Sequence, residues 1–228
     1  MITDEQIKEI YQLYLNNNTP KYLSKFENID DSKNTKNWKW RGKDFPRVAA
    51  IMDLNDYVKK YDLKSENMLL FYGDEPEMEY IPHKNKIIFD YEKDIKYDLH
   101  NLEIPEGNYD FSILCQTLEH LYDPLICVKN IYKYLNDGAY FYVNVPTINI
   151  QHMLPYNFYT GFTPVGLGCL LKQAGFSILE IGHWGNFEYL SNIFNNKRWP
   201  DYTQINTKND FTIPCQSWVL AKKNKIKI

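Results

Sequence analysis

"NYDFSILCQTLEHLYDP", residues 108–124, decides how this chain is read. Phe111 to Cys115 make a short apolar run of the length of one buried strand, and Gln116 and Thr117 break it. Asp123-Pro124 then opens a helix, with the aspartate as N-cap and the proline at the first helical position, where its missing N–H costs nothing. A strand, a polar turn and a helix start in so short a stretch form half of a β-α unit.

Moving outward, the unit repeats. "DPLICVKNIYKYLNDG" (123–138) reads as a helix with Gly138 shortly beyond its end, and "AYFYVNV" (139–145) as the next strand. "TPVGLGCLLKQAG" (163–175) has the same grammar, with Thr163 as cap, Pro164 as first residue and Gly175 as terminator. Further strand-like runs lie at 68–72, 86–89, 176–182 and 215–221. Strands alternating with helices imply a mostly parallel sheet covered on both faces, with ligands at the carboxyl ends of its strands. Chemistry is therefore expected just after Tyr72, Phe89, Cys115 and Val145.

The N-terminal third has a different rhythm. "DEQIKEIYQLYL" (4–15) puts Ile7, Ile10, Tyr11 and Tyr14 on one helical face, with Thr3 or Asp4 as cap. Residues 16–46 are polar and loop-rich, and a second helix is expected over 47–61. Residues 1–66 are thus read as a helical cap or substrate-covering segment, and 67–228 as the main α/β domain.

Totals exclude several function classes. At 228 residues, 44% hydrophobic and 24% charged, the composition is that of an ordinary globular protein. No apolar run approaches the roughly 20 residues of a membrane span, and the charged N-terminus does not resemble a signal peptide, so the cytoplasm is the expected location. A net charge of −3 gives no general attraction for nucleic acid. Cys115, Cys127, Cys169 and Cys215 form no CxxC pair, which argues against structural zinc and for reduced thiols.

Three strand ends carry candidate ligand groups. "MLLFYGDEP" (68–76) runs from a strand into Gly73, where backbone can approach a ligand without a Cβ in the way. Asp90 ends "KIIFD" and either caps a turn or accepts hydrogen bonds from ribose hydroxyls. Asp98 is either a turn cap or the acceptor for an adenine amino group, with Leu99 against the ring. In that order, a loop glycine and two acids describe an adenosine cofactor lying across the strand ends.

Residues 108–124, with "DLHNLEIPEGNYD" before and "YLNDGAYFYVNVP" after, resemble the class I S-adenosylmethionine-dependent methyltransferases, in their type-11-like branch. The resemblance rests on Asp98-Leu99, Tyr109-Asp110, Leu118-Glu119-His120, Asp137-Gly138 and Pro146, and on "PYNFYTGFTPVGLGCLLKQAGF" (155–176) as a second signature. It covers roughly residues 67 to 222 and implies a Rossmann-like class I methyltransferase fold with a mostly parallel seven-stranded sheet and helices on both faces. It also implies S-adenosylmethionine, held by Tyr72, Gly73, Asp74, Asp90, Tyr91, Asp98, Leu99 and Gln116. Phe71 stands where the branch commonly has its first glycine, and Leu69 where it commonly has an aspartate.

Methyl transfer from a sulfonium needs alignment above all, and a hydroxyl acceptor also needs a base. His152 is the expected base, with His120 beside the methyl group. Tyr156, Tyr159, Trp184, Trp40 and Arg41 are the expected substrate contacts, with Asn186 a further candidate. Some relatives hold a divalent ion at the Glu-His turn; here the first position of that site is Gln116, a poor ligand for a hard cation, and no metal is expected. The implied activity is O-methylation of a small molecule, a sugar or a nucleotide-linked precursor of surface polysaccharide. An RNA-terminal ribose methyltransferase and an inactive adenosine-binding or scaffold protein are the alternatives.

Overall fold

Four parallel strands set the frame, because parallel pairing brings their carboxyl ends to one edge of the sheet. The computed structural model describes residues 3–18, 46–71, 76–152, 159–201 and 204–224. Of the expected site residues, Trp40, Arg41, Tyr72, Gly73, Asp74 and Tyr156 lie outside these.

In chain order the elements are α1 (Asp4–Asn18), α2 (Arg47–Tyr61), β1 (Ser65–Leu70), β2 (His83–Ile88), β3 (Tyr109–Cys115), α3 (Pro124–Tyr134), β4 (Leu135–Pro146), α4 (Pro164–Ala174), β5 (Phe176–Trp184), α5 (Phe187–Asn196) and β6 (Gln216–Lys223). The sheet order is β2-β1-β3-β4-β6-β5. β1 pairs in parallel with β2 and β3, and β3 with β4, whereas β6 runs antiparallel to both β4 and β5. This is the expected Rossmann-like α/β architecture. It has six strands among the described residues where seven were expected; between β2 and β3 the chain makes two short 3-10 turns, Ile95–Tyr97 and Leu99–Asn101.

Central strands are apolar on both sides, and each side has its own core. Leu69, Leu114, Phe141, Val143 and Val219 face one way, against Ile10 and Tyr14 of α1, Val128 and Ile131 of α3, and Leu167 and Leu171 of α4. Their neighbours Met68, Leu70, Ile113, Tyr142 and Trp218 face the other, against Val48, Ala49, Leu54 and Tyr57 of α2 and Tyr189 and Ile193 of α5. Period-two alternation sorts the strand residues between the faces. α2, assigned from sequence to the covering segment, is therefore a layer of the core.

The caps form as expected. Thr3 Oγ1 accepts from Gln6 N at 3.3 Å while Thr3 N donates to Gln6 Oε1 at 3.0 Å, a capping box for α1. Asp123 accepts from Ile126 N and Thr163 from Gly166 N, and Gly175 ends α4 at φ 114, a conformation suited to glycine. On α1 only Ile10 and Tyr14 of the four expected apolar residues are buried; Ile7 and Tyr11 are exposed, because the helix meets α4 along a narrow line at Gly168.

Asp110, one of the signature residues, has a structural task at the far end of the sheet. Its carboxylate accepts from Ser65 Oγ at 2.5 Å, Glu66 N at 2.8 Å and Asn67 N at 3.2 Å, fixing the start of β1 to β3.

Candidate functional site

Phe71, directly after β1, is 2% exposed and packs in the same cluster as Leu99, Leu118 and Leu121. Beyond residues 72–75 the chain enters a five-residue 3-10 turn, Pro76–Tyr80, rather than an α-helix. Glu77 in that turn is fully buried, and Arg47 at the start of α2 donates to it through Nε and one Nη, both at 2.7 Å. Asn144 of β4, also fully buried, donates to Glu77 Oε1 at 3.2 Å and accepts from Gln216. This polar cluster lies where β3, β4 and the first residue of β6 meet. Sequence reading missed it: Arg47, Glu77 and Asn144 are far apart along the chain and follow no motif.

Both candidate acids cap turns, Asp90 just after β2 and Asp98 between the two 3-10 turns that follow it. Asp90 Oδ1 accepts from Glu92 N at 3.0 Å, and its Oδ2 lies 3.3 Å from the ammonium of the exposed Lys93. Tyr91 is the first residue of that turn and half-buried. Asp98 Oδ1 accepts from His100 N at 2.9 Å and faces His100 Nδ1 at 2.8 Å. Leu99 is buried beside it, and Asn130 of α3 donates to the carbonyls of Leu99 and His100. Capping uses one oxygen of each carboxylate and is compatible with the ligand role of the other.

At the end of β3 the backbone of Gln116 is left-handed, at φ 53. A non-glycine residue in that region stores of order 1 kcal/mol, and such strain gathers at functional turns. Gln116 N donates to Asn144 O at 2.8 Å and its side-chain amide reaches the same carbonyl at 3.3 Å, so the β4 backbone holds the turn. The 3-10 turn Leu118–His120 follows, with Glu119 buried at 1% exposure.

Returning from residues 153–158, the chain docks on that turn. Tyr159 N donates to Glu119 O at 2.9 Å, and Thr147 Oγ1 donates to Phe162 O at 3.0 Å. Gly161 permits this approach: a Cβ there would stand 1.9 Å from the Thr147 carbonyl oxygen. Tyr159 is thereby held in place with its side chain half exposed, 6.5 Å from the ring of the exposed Tyr122.

The two expected catalytic histidines come together. His120 and His152 meet edge to face with centroids 4.9 Å apart. His152 Nδ1 lies 2.7 Å from Ile150 O, which can only accept, so Nδ1 carries the proton and the lone pair of the neutral ring is on Nε2. Trp199 packs edge to face on His152 at 5.4 Å and donates its indole N–H to Asn149 Oδ1 at 3.0 Å. Trp199 belongs to this wall and was not singled out from sequence; its position near a polar chain turn, away from any strand end, gave no signal. Contacts thus run without a break from Asp98 through His100, Tyr122 and Tyr159 to the Glu119-His120 turn and His152. Among the described residues, no group of three or more His, Cys, Asp or Glu side chains converges as metal ligands.

Trp184, expected to touch substrate, is corrected by its burial: it is 0% exposed in the core beneath α5, and its indole donates to Thr207 O at 2.9 Å. Asn186 is likewise committed, as N-cap of α5 and donor to the carbonyls of Asn206 and Lys208. All four cysteines are free thiols, and burial pushes that of Cys215 up to about 12.

His183 is fully buried, with the rings of Tyr14 and Phe211 against it, and burial pushes its pKa down from 6.5 to about 4, against a smaller opposing pull from Asp210. It stays neutral in the folded protein while the unfolded chain takes up a proton, so stability falls as pH drops from 6.5 and levels off below about 4. The loss attributable to His183 is about 3 kcal/mol across that window. Urea unfolding of the wild type and His183→Gln at neutral and acid pH checks this. Equal pH dependence in the two proteins would refute it.

Residues 76–143 match the family model described as a methyltransferase domain. That match bears out the resemblance, and with it the fold and S-adenosylmethionine as the cofactor. No curated protein matches the chain. Similar solved structures include an S-adenosylmethionine-dependent methyltransferase from Clostridium acetobutylicum, with 12% identity, 76% of this chain and 90% of that chain covered, and a TM-score of 0.48. An S-adenosylmethionine-dependent methyltransferase from Archaeoglobus fulgidus has 17% identity over 76% of this chain and 94% of that one, at 0.43. Haemonchus contortus phosphoethanolamine N-methyltransferase 2, solved with S-adenosylmethionine, has 13% identity over 76% and 53%, at 0.47. Likenesses at this level say nothing of substrate.

Proposed function

We propose, for a chain whose matched segment places it with the S-adenosylmethionine-dependent methyltransferases of the class I fold, that it methylates a hydroxyl group of a small molecule. A sugar or a nucleotide-linked precursor of surface polysaccharide is the substrate class we assign. The observation that supports this reading is the unbroken run of contacts from Asp98, in the connection between β2 and β3, through His100, Tyr122 and Tyr159 to the His120–His152 pair in the loops after β3 and β4.

These residues fit an adenosine group. Asp90 and Asp98 each commit Oδ1 to a turn; the second oxygen of Asp90 faces the ammonium of the exposed Lys93, and that of Asp98 takes no hydrogen bond among the described residues. In this reading Asp90 holds the ribose hydroxyls and Asp98 the adenine amino group, with Tyr91, Leu99 and Gln116 around them and Tyr72, Gly73 and Asp74 at the methionine end. When bound, S-adenosylmethionine supplies a methyl group already activated by the positive charge on sulfur. The protein aligns the acceptor oxygen and excludes water from it. His152 takes the acceptor's proton at Nε2, and His120 orients that ring. Tyr159 and, outside the described residues, Tyr156, Trp40 and Arg41 are the proposed substrate contacts.

Calorimetry tests this reading. Wild-type protein should bind S-adenosylmethionine and S-adenosylhomocysteine, and Asp98→Ala should weaken both about ten- to hundred-fold, the worth of a hydrogen bond to a charged group. Absence of binding by the wild type would instead favour the inactive scaffold, a reading motivated by Phe71 in the glycine position and by the short turn at Pro76–Tyr80.

A further inference from the structure

The imidazole of His100 is held on three sides and its backbone by a fourth contact. Its Nδ1 lies 2.8 Å from Asp98 Oδ1, its Nε2 lies 3.4 Å from the backbone N of Asp123, and Asn130 of α3 donates to its carbonyl at 3.1 Å. Tyr122 covers the ring at a centroid distance of 3.7 Å and an interplanar angle of 8°. A carboxylate only accepts and a backbone N–H only donates, so one neutral tautomer satisfies both neighbours: Nδ1–H donating to Asp98 and Nε2 accepting from Asp123. Asp123 is itself fixed as N-cap of α3. The ring is thus clamped to a rigid helix start, while the carboxyl group it holds is about one-third exposed.

We propose that His100 is a positioning residue for the cofactor's adenine, acting through Asp98. Two donors from one residue, the backbone N–H and Nδ1–H of His100, converge on Oδ1 of Asp98. They fix both the rotamer and the plane of the carboxylate. Oδ2 takes no hydrogen bond among the described residues and is left as the acceptor for an exocyclic amino group. Without the Nδ1–H bond, a carboxylate this exposed rotates, and its ordering has to be supplied at each binding event, which weakens the contact. The inference rests on the proposed reading of Asp98 as the adenine acid and adds a residue that chooses adenine over a base with a carbonyl in the same place. A fixed Oδ2 attracts the amino group of adenine and repels the carbonyl oxygen of hypoxanthine; a rotating one does neither well.

The test compares S-adenosylhomocysteine with its inosine analogue, S-inosylhomocysteine, by calorimetry on the full chain. His100→Phe keeps a flat ring on Tyr122 and removes both nitrogens, and His100→Asn places an amide N–H near the position of Nδ1. Thermal melting establishes that each variant is folded. His100→Phe should bind S-adenosylhomocysteine about five- to tenfold more weakly and the inosine analogue no more weakly than wild type, so that discrimination collapses; His100→Asn should recover most of it. Asp98→Ala sets the floor, with little preference between the two ligands. A structural role alone predicts that His100→Phe weakens both ligands equally, and that outcome overturns the proposal, as does unchanged discrimination. If wild type binds neither ligand, the methyl-donor reading falls first and this inference with it.

Discussion

Replacing His152 by alanine should slow methyl transfer by roughly 10²–10⁴-fold, the usual worth of a positioned general base, while leaving S-adenosylhomocysteine binding unchanged. The size follows from the acceptor: a hydroxyl attacks well only as its proton leaves, and the activated methyl group does nothing to remove that proton. His152 is prepared for the task by its own backbone, since the bond from Nδ1–H to Ile150 O fixes the tautomer that is basic at Nε2. Trp199 and His120 hold the ring from its two sides. The specific effect on turnover separates a base from a wall residue, because loss of packing alone would disturb binding as well. Transfer of labelled methyl groups to a panel of sugars and nucleotide sugars gives the measurement. Full turnover by the variant would remove His152 as base and point to an acceptor, such as an amine, that needs no such help.

Glu77→Ala should cost about 3–5 kcal/mol of stability, because removing one partner of a buried ion pair leaves the other's charge poorly compensated. Both oxygens of Glu77 receive Arg47, and Oε1 also receives Asn144, so the truncation deprives three donor groups of their acceptor at a position with no access to water. For a domain of this size the melting temperature should fall by roughly 10 °C. A double variant, Arg47→Met with Glu77→Leu, should recover much of the loss by replacing the pair with apolar volume. If the double variant melts as low as Glu77→Ala, the loss comes from packing and the ion-pair explanation fails. Binding should suffer too, since the turn carrying Glu77 follows directly on residues 72–75.

Much of this was legible because it depends on neighbours in the chain. Six strands form over the six expected runs, though β1 and β2 begin three residues earlier and β4 four, and the caps at Thr3, Asp123 and Thr163 appear where the sequence puts them, since burial on both faces of the central strands selects continuous apolar runs and a cap needs only the next three residues. Asp90 stood out for the same reason: a strand's carboxyl end is a local feature, and in a parallel sheet all such ends share one edge, whereas Asp98 lies further on, between two 3-10 turns.

Other assignments depended on where distant segments cross. Trp184, just after an expected strand run, is buried under α5, while Trp199, away from any strand end, lies on His152. His100 gains its contacts with Tyr122 and Asp123 only in the folded chain.

By itself, then, the sequence determined the alternation of strands and helices, the strand ends that share one edge of the sheet and the family signature, because each is carried by short-range patterns of burial and backbone preference. The tertiary structure alone decided which side chains meet: Arg47 with Glu77 across 30 positions, Glu77 with Asn144 across 67, and His120 with His152. Such partners are chosen when the sheet orders its strands and brings separate loops to one edge, and no local preference encodes that distance.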